Sequence, residues 1–301
     1  MSTDLTPLSR CIAVAIGKGG AGKTSLTANV AGVAADADYR VLVISLDPQD
    51  NLGEDLGYTS VGDSDDGQAL VAAITGQAPL QPIRGVRAGL DVVSGGDALE
   101  DLVADLYIQR HLGQGESYAL GLAQALLPVA DEYDLILIDC PPGYHILQHL
   151  ALVAARWILV PTAADASSRK GIARLAQRVQ TARDLNPALG LLGVVIFDLP
   201  TNATRVRATA AQAIARDLGS DQALLAGSVR TAKAAAADAR ERGQLMHELA
   251  RVLDDEQPWY VRKAQSMTSA NLARSARHVA DDYAGLTREL LTKLADLEQE
   301  D

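Results

Sequence analysis

A chain of 301 residues with 48% hydrophobic and 22% charged side chains has the make-up of a soluble globular protein with room for one large α/β domain or two small ones. Its apolar runs fall short of the roughly 18 to 20 uncharged residues that a membrane span needs. Its two cysteines, Cys11 and Cys140, exclude a disulfide framework or a cysteine-ligated metal, so a cytoplasmic protein is expected. The net charge of −11 is uneven: residues 1–150 hold 7 Lys/Arg against 20 Asp/Glu, and residues 151–301 hold 20 against 18. Either the two halves present differently solvated faces, or a polyanion meets the second half.

In chain order, Cys11–Ile16 reads as a buried strand, followed by a glycine-rich turn and a helix over Lys23–Ala35. Val41–Leu46 and Leu90–Val93 read as further strands. Between them, Tyr58–Gly67 and Gly76–Gly89 carry enough Gly, Pro, Ser and Asp to predict surface loops. A helix is expected over Asp97–His111. Strands Leu135–Ile138 and Trp157–Val160 come next, then a helix over Ser168–Leu185 and a strand over Leu191–Phe197. After about Asp254 strand signals stop; a break at Glu256–Pro258 precedes one or two helices within Ser266–Glu298. Apolar runs alternating with helical patterns predict a doubly wound, mostly parallel α/β sheet with a helical C-terminal appendage. The economical division is 1–254 for the sheet domain and 255–301 for a helical extension packed on it.

Chemistry concentrates in the turn after the first strand. Gly17-Lys18-Gly19-Gly20-Ala21-Gly22-Lys23-Thr24-Ser25 has the spacing G-x-x-x-x-G-K-T between a strand and a helix. This phosphate-binding pattern lets glycine backbone N–H groups and the helix N-terminus cradle phosphate oxygens. Lys23 reaches β- and γ-phosphates, Thr24 offers a hydroxyl to Mg²⁺, and Ser25 bonds an α-phosphate oxygen. A second magnesium-shell side chain is Asp139, ending the buried run Leu135-Ile136-Leu137-Ile138 ahead of Cys140-Pro141-Pro142-Gly143. ATP and Mg²⁺ are the expected ligands.

Lys18, directly after the first glycine, narrows the class. Lys18-Gly19-Gly20-Ala21-Gly22-Lys23-Thr24 resembles the deviant Walker A box of the ParA/MinD superfamily of P-loop ATPases. There the extra lysine crosses a dimer interface to the partner's nucleotide, which implies an ATP-dependent homodimer. Ser45-Leu46-Asp47-Pro48-Gln49-Asp50-Asn51 resembles the stretch that in ParA-type proteins usually reads Asp-x-Asp-Pro-Gln-Gly-Asn. The resemblance makes Asp47 the residue that orients the attacking water, and it places Ser45 where an aspartate is usual. Val160-Pro161-Thr162 and Val229-Arg230-Thr231-Ala232-Lys233 extend the similarity over roughly residues 10–250. Phe197-Asp198 stands where the family often has Thr or Asn, so adenine contacts do not carry over. Val252–Ser269 matches nothing in the family pattern and reads as an insertion.

ParA-type proteins bind DNA without sequence preference as ATP dimers, and a centromere-bound ParB-like partner stimulates hydrolysis. MinD-type relatives bind membranes through a basic amphipathic C-terminal helix. Here Leu286, Leu290, Leu294 and Leu297 form one stripe, only Arg288 and Lys293 are basic within Gly285–Asp301, and the last six residues hold four acids. That favours a helix packed on its own domain over a membrane surface. The resemblance therefore implies slow, partner-stimulated ATP hydrolysis driving segregation of a plasmid, phage or chromosome, with the protein on the nucleoid when ATP-bound. The alternative is a MinD-like ATPase positioning a protein assembly or acting at a membrane. Arg230 and Lys233 resemble basic positions that ParA proteins use for DNA; Arg205, Arg207, Arg240, Arg242, Arg274 and Arg277 are further candidates.

Overall fold

The computed structural model describes residues 3–16, 20, 22–59, 62–112, 118–200, 204–218, 223–255 and 272–300. Its centre is an eight-stranded sheet made of β1 (Cys11–Val14), β2 (Val41–Ser45), β3 (Ile83–Arg87), β4 (Leu90–Val93), β5 (Leu135–Asp139), β6 (Trp157–Thr162), β7 (Gly190–Leu199) and β8 (Leu224–Arg230). The spatial order is β3-β4-β2-β5-β1-β6-β7-β8. Every pairing is parallel except β3 with β4.

The helices are α1 (Lys23–Asp36), α2 (Asn51–Leu56), α3 (Gln68–Ile74), α4 (Ala98–His111), α5 (Gly121–Leu126), α6 (His145–Ala154), α7 (Ala166–Arg183), α8 (Thr204–Leu218), α9 (Lys233–Arg242), α10 (Met246–Asp254) and α11 (Ser275–Glu300). They cover both faces. In β1, Cys11 and Ala13 face a core shared with α3 to α8, while Ile12 and Val14 face a core shared with α1, α2 and α9 to α11. A strand alternates its side chains between faces, so a strand apolar on both faces must have both covered. β1, β2, β5 and β6 are buried at every position.

Two strands depart from the sequence reading. The Gly76–Gly89 segment, expected as loop, contains β3, an antiparallel edge strand. Its exposed Arg84 is matched by Asp91 and Glu132 at 2.9 and 3.0 Å, and charge on an edge hides it from a period-two search. β8, the other edge, carries Gly227 and Ser228 and alternates weakly. Its backbone is closed by α11 instead: Glu289 accepts hydrogen bonds from the Ala226 and Gly227 N–H groups at 2.6 and 2.8 Å. α11 lies on β8, α1 and α10, burying Val279, Tyr283, Leu286, Leu290 and Leu294 in one helical stripe. The break expected at Glu256–Pro258 and most of the Val252–Ser269 segment lie outside the described residues; its first three residues, through Asp254, end α10.

The sheet order fixes where ligands approach. β1 sits between β5 and β6; the chain leaves β1 for β2 on one side and leaves β5 for β6 on the other. In open α/β sheets that switch point opens a crevice at the carboxyl ends of the strands. Register brings Asp139 opposite Val14 on one side and opposite Ser45 on the other. The start of α1, the Asp47 turn and Asp139 therefore converge at the carboxyl ends of the strands.

Candidate functional site

Of the phosphate-loop residues, Gly17, Lys18, Gly19 and Ala21 lie outside the described residues. Gly20 and Gly22 have φ of +72° and +74°, the left-handed region that glycine adopts without a steric cost. At Gly22 a side chain is excluded twice over, since an added Cβ would lie 2.1 Å from the Phe197 ring. α1 starts at Lys23 with Gly22 as its cap, so the first-turn N–H groups point into the crevice.

Thr24 Oγ1 donates a hydrogen bond to Asp139 Oδ2 at 2.7 Å. Asp139 is fully buried, and burial pushes its carboxyl up to about 7, against the opposing pull of the Thr24 hydroxyl and the Lys23 charge. Its second oxygen, Oδ1, is buried without a hydrogen-bond partner. A buried carboxylate oxygen with free lone pairs asks for a cation or a donor. The described residues contain no group of three His, Cys, Asp or Glu able to hold a metal unaided. A hydroxyl and one carboxylate suit Mg²⁺, which keeps waters and takes remaining ligands from substrate phosphates. Thr24 and Asp139 thus fit a magnesium ion.

Lys23 is buried, at 5% exposure. Desolvation lowers its pKa, and the charges of Asp139 and Asp47 oppose that shift. An ammonium kept among acids at the mouth of an anion-binding loop is placed for phosphate. Asp47, equally buried, is oriented through both oxygens: the Gln49 N–H donates to Oδ1 at 3.1 Å and Asn51 Nδ2 to Oδ2 at 3.2 Å. Its carbonyl accepts from Asp50 and Gly96 N–H at 3.0 and 3.2 Å. Gly95 packs against that turn so closely that a Cβ would fall 2.4 Å from the Asp47 carbonyl. Ser45 puts a neutral hydroxyl opposite Asp139, at the position where the ParA-type stretch usually carries an aspartate.

Three features of the site escape a reading of the sequence. Asp50 occupies the glycine position of the ParA-type stretch and adopts φ +41°, the conformation a glycine would supply. Its buried carboxyl accepts from Tyr58 OH at 2.7 Å and from the Gly95 N–H at 3.2 Å; burial raises its pKa. Gln148 on α6, fully buried, donates its amide to the Pro141 carbonyl at 2.6 Å and to Ile16 at 3.5 Å, tying the loop after Asp139 to the end of β1. Ser25 Oγ donates to Asp55 Oδ2 at 3.0 Å, and Asp55 Oδ1 accepts from Arg240 Nε at 2.8 Å. Glycine at 50 in the ParA-type pattern is the one signal that pointed to any of them. Cys11 and Cys140 are buried, and burial raises both thiols.

The basic candidates divide. Arg230 is held by Asp282 of α11 through two side-chain bonds of 2.7 Å and a backbone bond of 3.0 Å. Arg207 donates to the Ala226 carbonyl, and Arg277 is bonded to Asp254 and to the Leu253 carbonyl at 2.6 Å each. Arg205, Lys233 and Arg274 are exposed. Arg230, Lys233 and Arg240 also line a cavity of about 480 Å³ with Ser25, Asn29, Phe197 and Asp198, which places them beside the phosphate-loop helix. Arg205 and Arg207 lie apart, on α8.

An AAA domain model matches residues 9–191, the stretch that holds the loop, the Asp47 turn and Asp139. The chromosome partitioning protein ParA of Myxococcus xanthus is 32% identical over 200 residues, 65% of this chain and 68% of that protein. The protein of the same name from Caulobacter vibrioides is 33% identical over 192 residues, 62% of this chain and 68% of its own. The chain belongs to the ParA/MinD-type ATPases. Solved structures share this ATPase fold. McdA of Cyanothece in complex with ATP has a TM-score of 0.67 at 22% identity, over 86% of this chain and 97% of its own. The cell division ATPase MinD of Pyrococcus furiosus has 0.64 at 19%, over 94% and 99%. A cobyrinic acid a,c-diamide synthase from Mycobacterium smegmatis, solved with ADP and magnesium, has 0.63 at 24%, over 78% and 92%. Among the described residues of this ParA/MinD-type chain, no helix is long and apolar enough to cross a membrane.

Proposed function

We propose that this protein is a ParA-type ATPase that pairs with a second copy when ATP is bound, binds DNA without sequence preference in that state, and segregates a DNA cargo with a ParB-like partner. The observation that carries the reading is the identity of about a third to two chromosome partitioning proteins, over 200 and 192 residues. Burial of the α11 leucine stripe against the sheet domain supports DNA over a membrane surface, because an interfacial helix needs that stripe for lipid.

In this reading Lys23 and the loop N–H groups hold the β- and γ-phosphates, and Ser25 takes an α-phosphate oxygen. Thr24 and Asp139 would hold Mg²⁺, which supplies charge neutralisation of the phosphates when bound. Asp47, its carboxylate fixed by Gln49 and Asn51, orients the attacking water and accepts its proton through a hydrogen bond. Lys18 reaches across the dimer to the partner's nucleotide. The residues build no covalent intermediate; positioning and electrostatics do the catalysis. Lys233, Arg205 and Arg207, with Arg230 behind its Asp282 pair, are the proposed phosphate contacts to DNA.

The test is binding of a random-sequence duplex with no nucleotide, with ADP and with Mg-ATP, each at two salt concentrations. Binding in Mg-ATP alone, falling steeply with salt, is the expected result, because each neutralised phosphate releases counterions. Absence of DNA binding in every state, with ATP-dependent pairing intact, would transfer the assignment to a protein or membrane cargo.

A further inference from the structure

Both hydroxyls that open α1 are held by acids. Thr24 donates to Asp139, and Ser25 donates to Asp55 Oδ2 at 3.0 Å. Asp55 lies on α2, just past the Asp47 turn, with its side chain 10% exposed. Its other oxygen accepts from Arg240, 185 residues away in the chain, at 2.8 Å. Glu54 lies 3.5 Å from the same guanidinium. Ser25, Asp55 and Arg240 share the wall of the cavity beside the phosphate-loop helix.

A serine hydroxyl has one hydrogen to give. If Ser25 gives it to an α-phosphate oxygen, Asp55 must release it. The phosphate would then sit one hydroxyl away from a carboxylate, and two anions that close repel each other in a poorly solvated site. Arg240 is the cation that offsets this, through the opposite oxygen of the same carboxylate. The arrangement sets a competitor against the nucleotide and tempers it with a counter-charge.

We propose that Asp55 competes with the nucleotide α-phosphate for Ser25, and that Arg240 is the positioning residue that limits the competition, so that the pair tunes nucleotide affinity and release. The proposal rests on the nucleotide reading of Ser25 given above. It needs no contact between Arg240 and the nucleotide, because Arg240 acts through Asp55.

Its signature is two opposite effects from the two halves of one ion pair. Asp55→Asn removes the charge and weakens the hold on Ser25, so ADP and Mg-ATP should both bind more tightly, by about tenfold, the scale of one charge-assisted hydrogen bond. Arg240→Ala leaves the carboxylate uncompensated and should weaken both by about tenfold. Arg240→Lys, which keeps a cation, should stay within about threefold of the parent. The double variant Asp55→Asn with Arg240→Ala should return to the Asp55→Asn value, because the arginine has nothing left to offset.

The experiment is a titration of the full chain, these four variants and Lys23→Ala as a control with ADP and with Mg-ATP, alongside a denaturant midpoint for each. If the pair merely braces α2 against α9, both single variants lower the midpoint and weaken binding together. Weakened or unchanged affinity in Asp55→Asn, with the parent binding ATP and Lys23→Ala not, overturns this proposal and leaves the nucleotide site standing. Failure of the parent to bind either nucleotide overturns the site itself.

Discussion

Lys23→Ala is expected to lose nucleotide binding by at least about a hundredfold in a titration with ATP or ADP. The magnitude follows from where the ammonium lies. Lys23 is 5% exposed, and its charge is kept by Asp139 and Asp47 against the cost of burial. Truncation removes the one buried cation described at the loop and leaves two buried acids facing an incoming polyphosphate. A charged hydrogen bond contributes about 1.5–3 kcal/mol, and the acids left behind add repulsion of similar order. Those contributions act on ADP and ATP alike, so both should fail. The folded state should survive, because Lys23 heads α1 and the apolar side chains that bury the helix, Leu26, Val30 and Ala34, are untouched. Circular dichroism of the variant separates lost binding from lost fold. Retained affinity would mean that Lys23 does not face the phosphates.

Asp47→Ala should behave in the opposite way, binding ATP but losing hydrolysis by about 10²–10⁴, the usual contribution of a positioned acid–base group. The carboxylate is buried and aimed by Gln49 and Asn51, and no apolar contact of the core depends on it. Removing it also relieves negative charge near the phosphates, so affinity for ATP should hold or rise. The check is phosphate release under multiple turnover, paired with an ATP titration. Normal turnover in the variant would remove Asp47 from the reaction and return attention to Asp50, the other buried acid of the same turn.

The central strands were legible because they are buried on both faces, and such strands read as unbroken apolar runs. Their ends were less so. The run Cys11–Ile16 carries strand pairing only to Val14, where Ala15 and Ile16 already lead into the loop. Trp157–Val160 continues through Pro161 and Thr162. The edges failed for physical reasons: β3 is half exposed and charged, and β8 is closed by a carboxylate from the terminal helix rather than by an apolar pattern of its own.

The site divides in the same way. Lys23, Thr24 and Asp139 were legible because a phosphate loop and a strand-ending acid have local spacing, and the fold then brings Thr24 and Asp139 within 2.7 Å. Arg240 and Asp55 carry no such spacing; only folding makes them partners. Arg230 shows the converse. Its position resembles a DNA-contacting one, and Asp282, 52 residues on, also holds its guanidinium through Nε and Nη2, a pair that nothing in the local sequence announces.

The proposed function requires an ATP-driven pairing of two chains. Sedimentation velocity of the Asp47→Ala chain, which should retain ATP, tests it most directly, in Mg-ATP and in ADP with no DNA present. A monomer is expected in ADP and a species of twice the mass in Mg-ATP, with Lys18→Ala abolishing the shift. A monomer in both nucleotides, with ATP shown to be bound, would contradict it.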